Sequence, residues 1–201
     1  MDLPDDLALP LSSGAPWWYW LGGRPALDFV NTFRERWQRQ VETLVTRADL
    51  AAWLVQAELT PAPPPVSDQL LADARVLREA IDAAVRAQLD GTTAPRKAVA
   101  TINAWLPRSE TPPRLAATAG RLELGRVKVG RAAEHAVGLI ALDAARMLGT
   151  DERERIRVCA SATCSARFYD RSRSGQRIWC SMQGCGNVEK ARRHRARARA
   201  G

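Results

Sequence analysis

The four cysteines of this 201-residue chain lie close together near its C-terminal end, in two pairs. Four residues separate Cys159 from Cys164 and Cys180 from Cys185, and 15 residues separate the two pairs. Four thiolates in two close pairs are the ligand set that Zn²⁺ takes in tetrahedral structural sites. We therefore expect one structural Zn²⁺ per chain, bound by Cys159, Cys164, Cys180 and Cys185, with no open coordination position for a catalytic water.

Two disulfides or four unrelated thiols are the alternatives for these cysteines. Because every cysteine lies in one segment, unrelated thiols are disfavoured. The first residues are acidic where a secretion signal would be basic, and the uncharged stretch 7–23 is interrupted by Pro10 and Pro16, so neither a signal peptide nor a membrane helix is predicted. We expect a cytoplasmic, nucleoid-associated protein with no membrane partner, in a reducing compartment where disulfides are rare.

The residues around the cysteines predict the local structure of a zinc finger. Residues 167–170 and 176–179 have the composition of strands and are joined by the turn-rich segment 171–175, which predicts a hairpin between the two cysteine pairs. A Gly-Asn turn follows the last cysteine, and residues 189–200 are rich in helix formers. Knuckle, hairpin, knuckle and helix is the order of a treble-clef-like zinc finger with four cysteine ligands.

The formal charge is concentrated in the same segment. Residues 1–150 carry 17 basic and 17 acidic side chains, whereas residues 151–201 carry 13 basic and 5 acidic ones, so the whole net charge of +8 lies there. Such a basic segment is typical of proteins that bind a polyanion, because each neutralised phosphate releases condensed counterions. The candidate nucleic-acid contacts lie in the predicted hairpin and closing helix; they are Arg171, Arg173, Arg177, Lys190, Arg192, Arg193 and Arg195. The alternative is that this helix, which has no apolar stripe, is a solvated tail.

Residues 1–150 are predicted to form a mostly helical domain, and residues 151–201 the zinc finger. Helical periodicity and end signals predict helices in five segments, 25–40, 46–57, 67–91, 96–105 and 131–149. Within the segment 114–129, apolar residues alternate with charged ones on both sides of Gly125-Arg126, which predicts a strand or a hairpin there. The expected fold class is therefore mainly α with a small β-hairpin region, an α+β protein.

A group of polar residues near the N-terminus has the types found in ligand pockets. Arg24, Asp28, Asn31 and Thr32 lie close in sequence to the aromatic cluster 17–20, which could wall a mostly apolar pocket for a small-molecule effector. The alternative is that the polar side chains satisfy backbone groups at a helix start while the tryptophans are core. We favour this structural alternative, because spacing alone cannot distinguish a cap from a ligand contact.

Motifs at both ends of the chain resemble a known family. They are Cys159-x4-Cys164, Phe168-x-Asp170-x-Ser172, Trp179-Cys180-Ser181-Met182-x-x-Cys185-Gly186-Asn187, Gly23-x-x-Ala26-Leu27-Asp28-Phe29-Val30-Asn31-Thr32 and Asp49-Leu50-x-x-Trp53-Leu54. With them the chain is similar to the bacterial CGNR zinc finger proteins, transcription regulators with an N-terminal ABATE domain. The resemblance implies zinc binding and DNA binding and no established reaction. Val188 stands where the family has the arginine of its name, with Lys190 and Arg192 as nearby basic substitutes.

Three classes of function compete. A DNA-binding transcription regulator explains the zinc site and the charge together, with the N-terminal domain as a ligand-sensing or dimerisation part. A zinc-stabilised RNA-binding or protein-interaction module is the alternative; Phe168, Tyr169 and Trp179 could stack on RNA bases, although packing over the metal is the favoured use of Phe168 and Trp179. We expect no enzyme, because no paired nucleophile and base and no open metal site are visible. DNA is the expected partner, RNA is a second one, and a homodimer is plausible.

Overall fold

The computed structural model describes residues 3–126 and 130–200. The helices in this part of the chain are α1 (Pro25–Val30), α2 (Arg47–Gln56), α3 (Asp68–Leu89), α4 (Arg96–Trp105), α5 (Ala132–Gly149) and α6 (Asn187–Ala200). The strands are β1 (Phe33–Arg34), β2 (Val41–Glu42), β3 (Pro113–Thr118), β4 (Arg121–Arg126), β5 (Ile156–Val158) and β6 (Arg167–Tyr169). They form three antiparallel pairs, β1 with β2, β3 with β4 and β5 with β6. The predicted fold class, mainly α with a small β part, is confirmed.

Helices α2 and α3 begin at side-chain caps that the sequence predicts. Thr46 Oγ1 accepts a hydrogen bond from the Asp49 amide (3.2 Å), while Asp49 Oδ2 accepts one from the Thr46 amide (2.6 Å), which makes a capping box. Ser67 Oγ accepts from the Leu70 amide at 3.1 Å. Because the first amides of a helix have no partner within the helix, these caps define where both helices start.

The core of the helical domain continues into the C-terminal region. Leu77 of α3 and Ile140 of α5 are fully buried in one cluster with Phe29 of α1 and Trp53 of α2. Ile156 of β5 belongs to the same cluster and is also fully buried. The first strand of the C-terminal region is therefore packed into the helical domain. The division into two domains at residue 150 stays a prediction, and Ile156 makes contacts across that boundary.

The helix predicted over 25–40 is wrong beyond Val30. Thr32 Oγ1 donates to the Phe29 carbonyl at 2.6 Å, and Arg36 Nη2 donates to the Val30 carbonyl at 3.0 Å. These side chains occupy carbonyls that the next helical turn would use, and such local bonds compete with helix formation. The chain turns instead into the short β1–β2 pair.

A hairpin forms between β3 and β4, in the segment where the sequence predicts a strand or a hairpin. The two linking residues, Ala119 and Gly120, have φ angles of 48° and 78°. Positive φ at both central positions is the conformation of a type I′ hairpin turn, and glycine adopts it without steric cost. Gly125, at the centre of the alternating pattern, lies inside β4 opposite Arg114 and not in the turn. The second half of that prediction, residues 127–129, lies outside the described residues.

Candidate metal centre

The four cysteine sulfurs converge on one point. The Sγ atoms of Cys159, Cys164, Cys180 and Cys185 all lie within 4.8 Å of one another. Cys180 Sγ is 3.7 Å from Cys164 Sγ and 3.6 Å from Cys185 Sγ. Tetrahedral zinc with Zn–S bonds of about 2.3 Å places its sulfurs about 3.8 Å apart, whereas a disulfide bond is about 2.05 Å long. The spacing fits one zinc ion and does not fit two disulfides.

The electrostatics of this cluster call for a cation. Cys159, Cys180 and Cys185 are buried and Cys164 is half-buried. Hydrogen bonding from the Cys164 thiol lowers the pKa of Cys159 far below its ordinary value, whereas the neighbouring Cys159 sulfur raises the pKa of Cys180 far above its own. Four thiolates in so small a volume repel one another, and a divalent cation among them removes that repulsion. The chain therefore has a site for one structural zinc ion, with all four ligands supplied by protein.

The β5–β6 pair positions the first knuckle. Cys159 directly follows β5, whose last residue, Val158, pairs with Arg167 of β6. The Cys159 amide donates to the Ala166 carbonyl (2.9 Å), and the Cys164 amide donates to the Ser161 carbonyl (3.1 Å). The strand pair thus fixes the Cys159 end of the knuckle, and a turn within the knuckle positions Cys164. The predicted pairing of 167–170 with 176–179 is wrong, because β6 pairs with the strand that precedes Cys159.

Asp170 explains why residues 176–179 do not pair with β6. Its fully buried carboxylate accepts from the amides of Ser172 and Arg177, both at 2.8 Å, which closes the segment 171–177 into a loop. Arg177 in turn donates to the carbonyls of Trp179 and Cys180, and its guanidinium lies 4.7 Å from the ring centre of buried Phe168. These contacts position the second cysteine pair.

Helix α6 is held to the metal centre at its first turn. Glu189 is 7% exposed, and its Oε1 accepts from Ser161 Oγ (3.1 Å) and from the Ala162 amide (3.4 Å) in the first knuckle. The helix follows a π-type turn, Met182–Gly186, that contains Cys185. From Lys190 onwards, every residue whose side chain is described is exposed. The helix is therefore anchored at one end, and its basic part faces solvent.

The seven candidate nucleic-acid contacts fall into two groups. Arg177 is half-buried and bound to the carbonyls of the second knuckle, while Arg171 donates to the Gly23 carbonyl of the helical domain. The other five candidates are exposed, as Arg171 also is; they are Arg173, Lys190, Arg192, Arg193 and Arg195. Arg192 also lies 3.3 Å from the Glu189 carboxylate. Four of these five exposed cations are on α6.

The zinc finger is docked onto the helical domain through residues that the sequence analysis did not assign to it. Asn31 Nδ2 donates to the Arg167 carbonyl (2.9 Å), and Asn31 Oδ1 accepts from the Arg167 amide (2.8 Å), so its side chain fastens β6 to the end of α1. Arg167 Nη2 lies 3.0 Å from Asp82 Oδ1 of α3, with side-chain exposures of 2% and 3%. The sequence carries one indication of this docking: Arg78 and Asp82 lie one turn apart on the apolar, buried face of α3. Buried charges need partners, so such a face should meet charged groups from another part of the chain.

The proposed ligand residues do not form one pocket. Arg24 is paired with Asp143 (2.6 Å) and Glu152 (2.8 Å). With Asp28 it lines a cavity beside Trp20, whereas Asn31 faces a different cavity beside Cys164, and Thr32 is buried. Each of the four makes contacts with protein groups, as the structural alternative requires.

Asp28 makes stability depend on pH. It accepts from the Gly22 amide at 2.7 Å, and burial, its largest perturbation, raises the pKa of Asp28 from 3.8 to about 6. The folded state then holds a proton on Asp28 more tightly than the unfolded state does. The resulting contribution to the free energy of unfolding is complete below pH 4 and is lost as pH rises towards 6 and above. Between pH 4.5 and pH 7 the unaltered chain should lose about 2 kcal/mol of its free energy of unfolding through this group, as measured by urea unfolding. Asp28→Asn has no carboxyl group to titrate there and should not show that loss. The exposed carboxylate variant Asp5→Asn is the control, and an unchanged pH dependence in Asp28→Asn would contradict the assignment.

A helical domain, a four-cysteine zinc site and an exposed basic helix together define a zinc finger protein with an N-terminal helical domain. Residues 23–151 match the family model ABATE, described as "Putative stress-induced transcription regulator", and residues 155–198 match the CGNR zinc finger model. The chain therefore belongs to the ABATE family and carries a CGNR zinc finger, as its motifs predicted. No curated protein matches it significantly. In the described ranges, 3–126 and 130–200, there is no helix with the length and apolar character needed to cross a bilayer.

Proposed function

We propose that this protein binds duplex DNA through α6 and acts as a transcription regulator at the bacterial nucleoid. The observation that carries the proposal is the segment 190–198, which holds five Lys and Arg residues and no carboxylate, and is exposed throughout. Within a 14-residue helix, about 21 Å long, these cations form a rod of positive charge. The major groove of B-DNA is wide enough to admit such a helix.

The anchoring of α6 supports a binding role over a solvated tail. Glu189 and the zinc-bound Cys185 fix the direction of the first turn relative to the finger. A helix that is polar on all sides is marginally stable alone, and phosphates on both sides of a groove would stabilise it. Val188, which stands where the family has an arginine, lies in this first turn and is 43% exposed. An arginine at this position would be on the surface, and Lys190 and Arg192, close by in sequence, supply positive charge in its place.

The finger's aromatic residues favour DNA over single-stranded RNA. Phe168 is fully buried within the metal cluster, Trp179 is half-buried against that cluster, and Tyr169 is half-buried against the helical core. Bases of single-stranded RNA are recognised mainly by stacking on accessible aromatic rings, which a buried ring cannot offer. The proposal assigns the protein no reaction, since a zinc ion with four thiolate ligands has no position for an activated water.

The test is the salt dependence of DNA affinity. We expect Arg193→Ala and Arg195→Ala each to weaken binding of the zinc-loaded full chain to any duplex, and to reduce the slope of log affinity against log salt by about one unit. Fluorescence anisotropy with labelled duplexes of two unrelated sequences, at several salt concentrations, measures both quantities. A single-stranded RNA of equal length in parallel distinguishes the alternative partner.

The matched control is Arg96→Ala, which removes an exposed arginine from the first turn of α4 in the neutral part of the chain. It should leave affinity and salt slope unchanged. If Arg193→Ala and Arg195→Ala behave like Arg96→Ala, then α6 is a solvated tail and the proposal fails. Tighter binding of RNA than of duplex DNA would replace DNA by RNA as the partner.

A further inference from the structure

The ribbon formed by β3 and β4 has an apolar face that nothing in the described part of the chain covers. Every described side chain of the two strands is exposed. The exposed fractions of Leu115, Leu122 and Leu124 are 60%, 72% and 77%. Leucines this exposed are ordinary when scattered singly, but here three of them occur in one short ribbon.

The strand register gathers these residues on one side. Leu115 lies opposite Leu124, and Ala117 lies opposite Leu122. Directly paired residues of antiparallel strands point to the same side, and successive residues alternate, so these four side chains form one face. The charged residues Arg114, Arg121 and Glu123 occupy the alternate positions and therefore lie on the opposite face. The ribbon is thus amphipathic, with three leucines and an alanine together on one side.

We propose that this face is the interface of a homodimer, in which the ribbons of two copies stack face to face. A two-stranded ribbon is at best marginally stable by itself in water, and a sheet with one apolar face requires a second layer against it. The ribbon of a second copy supplies such a layer, because it presents the same apolar face. The result is a two-layer arrangement with both charged faces turned outwards.

Charge and edge chemistry favour a second copy in this arrangement. Stacking two identical faces about a two-fold axis keeps Arg114, Arg121 and Glu123 of both copies on the outer faces, away from the contact between the leucines. Extension of the sheet at the β3 edge is disfavoured, because Pro112 and Pro113 lack amide donors. The leucine face is smaller than the roughly 800 Å² per partner of a standard interface, so the dimer should dissociate at micromolar concentration.

Sedimentation equilibrium of the zinc-loaded full chain, over about 1–100 μM, tests the proposal. We expect a reversible monomer–dimer equilibrium whose dissociation constant rises at least tenfold in Leu122→Glu and in Leu124→Glu, because each change places a charge in the apolar contact. Both positions are exposed in the monomer, so far-UV circular dichroism should show unchanged helix content.

Two controls separate this face from other surfaces. Glu123→Gln alters the outer face of the same ribbon, and Val76→Glu adds the same charge to an apolar residue of α3 that is 54% exposed. Both should dimerise like the unaltered chain. A chain that stays monomeric at about 100 μM overturns the proposal. So does a dimer that Leu122→Glu and Leu124→Glu leave intact, or that Val76→Glu weakens as much as they do.

Discussion

Replacing Cys180 with serine is expected to abolish zinc binding and to unfold the finger while α3 and α5 stay folded. The Cys180 sulfur lies 3.7 Å from that of Cys164 and 3.6 Å from that of Cys185, so it is a neighbour of both knuckles. Structural zinc binds zinc finger peptides with apparent free energies of about 10–16 kcal/mol at neutral pH, and this binding energy is folding energy. The remaining contacts of a small finger cannot replace it.

Elemental analysis and hydrogen exchange measure the two parts of this result. The unaltered chain should contain one zinc ion, and Cys180→Ser close to none. Amides of residues 159–190 should lose protection, whereas those of α3 should keep theirs, because the α3 core side chains lie in the helical cluster and not among the cysteines. Ser174→Ala, in the exposed loop between the cysteine pairs, should retain the metal. A Cys180→Ser chain that still holds one equivalent of zinc would show that the ligand set is wrong.

Local sequence was sufficient to predict the metal ligands and several helix ends. Thiolate ligands and the caps at Thr46 and Ser67 depend on residue type and on spacings of a few residues, which the sequence displays directly. The sequence did not locate the hairpin turn, because Gly120 and Gly125 are both acceptable turn residues and only the register of the flanking strands decides between them.

Contacts between distant parts of the chain were the features that local reasoning missed. The Asn31 side chain pairs with the backbone of Arg167, 136 residues away, where it stands in for a strand neighbour. An asparagine that follows a short helix can also cap the helix end or contact a ligand. The sequence therefore predicts for Asn31 either a structural role or a place in a ligand pocket, and does not predict the contact with Arg167. The buried positions of Asp82 and Arg167 follow from how the finger docks on α3, which neither segment reveals alone.

Removing the carboxylate of Asp82 is expected to be the most destabilising single change outside the metal site. Asp82 lies 3.0 Å from Arg167, 3.5 Å from Arg36 and 3.1 Å from Arg86. Arg167 and Arg36 are themselves largely buried, and burial lowers the pKa of Arg167, so without Asp82 their charges lose a partner that water cannot replace. Breaking a buried pair in this way costs about 3–5 kcal/mol, which we expect for Asp82→Ala in urea unfolding of the zinc-loaded chain.

A second variant separates loss of the ion pair from a cavity left by a smaller side chain. If unpaired charge causes the destabilisation, then Asp82→Leu alone should be as unstable as Asp82→Ala, and adding Arg167→Met should restore much of the free energy of unfolding. Arg86→Met is the control, since Arg86 meets the same carboxylate with a side chain that is 60% exposed, and such a pair contributes about 1 kcal/mol or less. Strictly additive effects of Asp82→Leu and Arg167→Met would mean that the two residues stabilise the protein independently, and that the finger is held to the helical domain by the Asn31 contacts at the end of α1 instead.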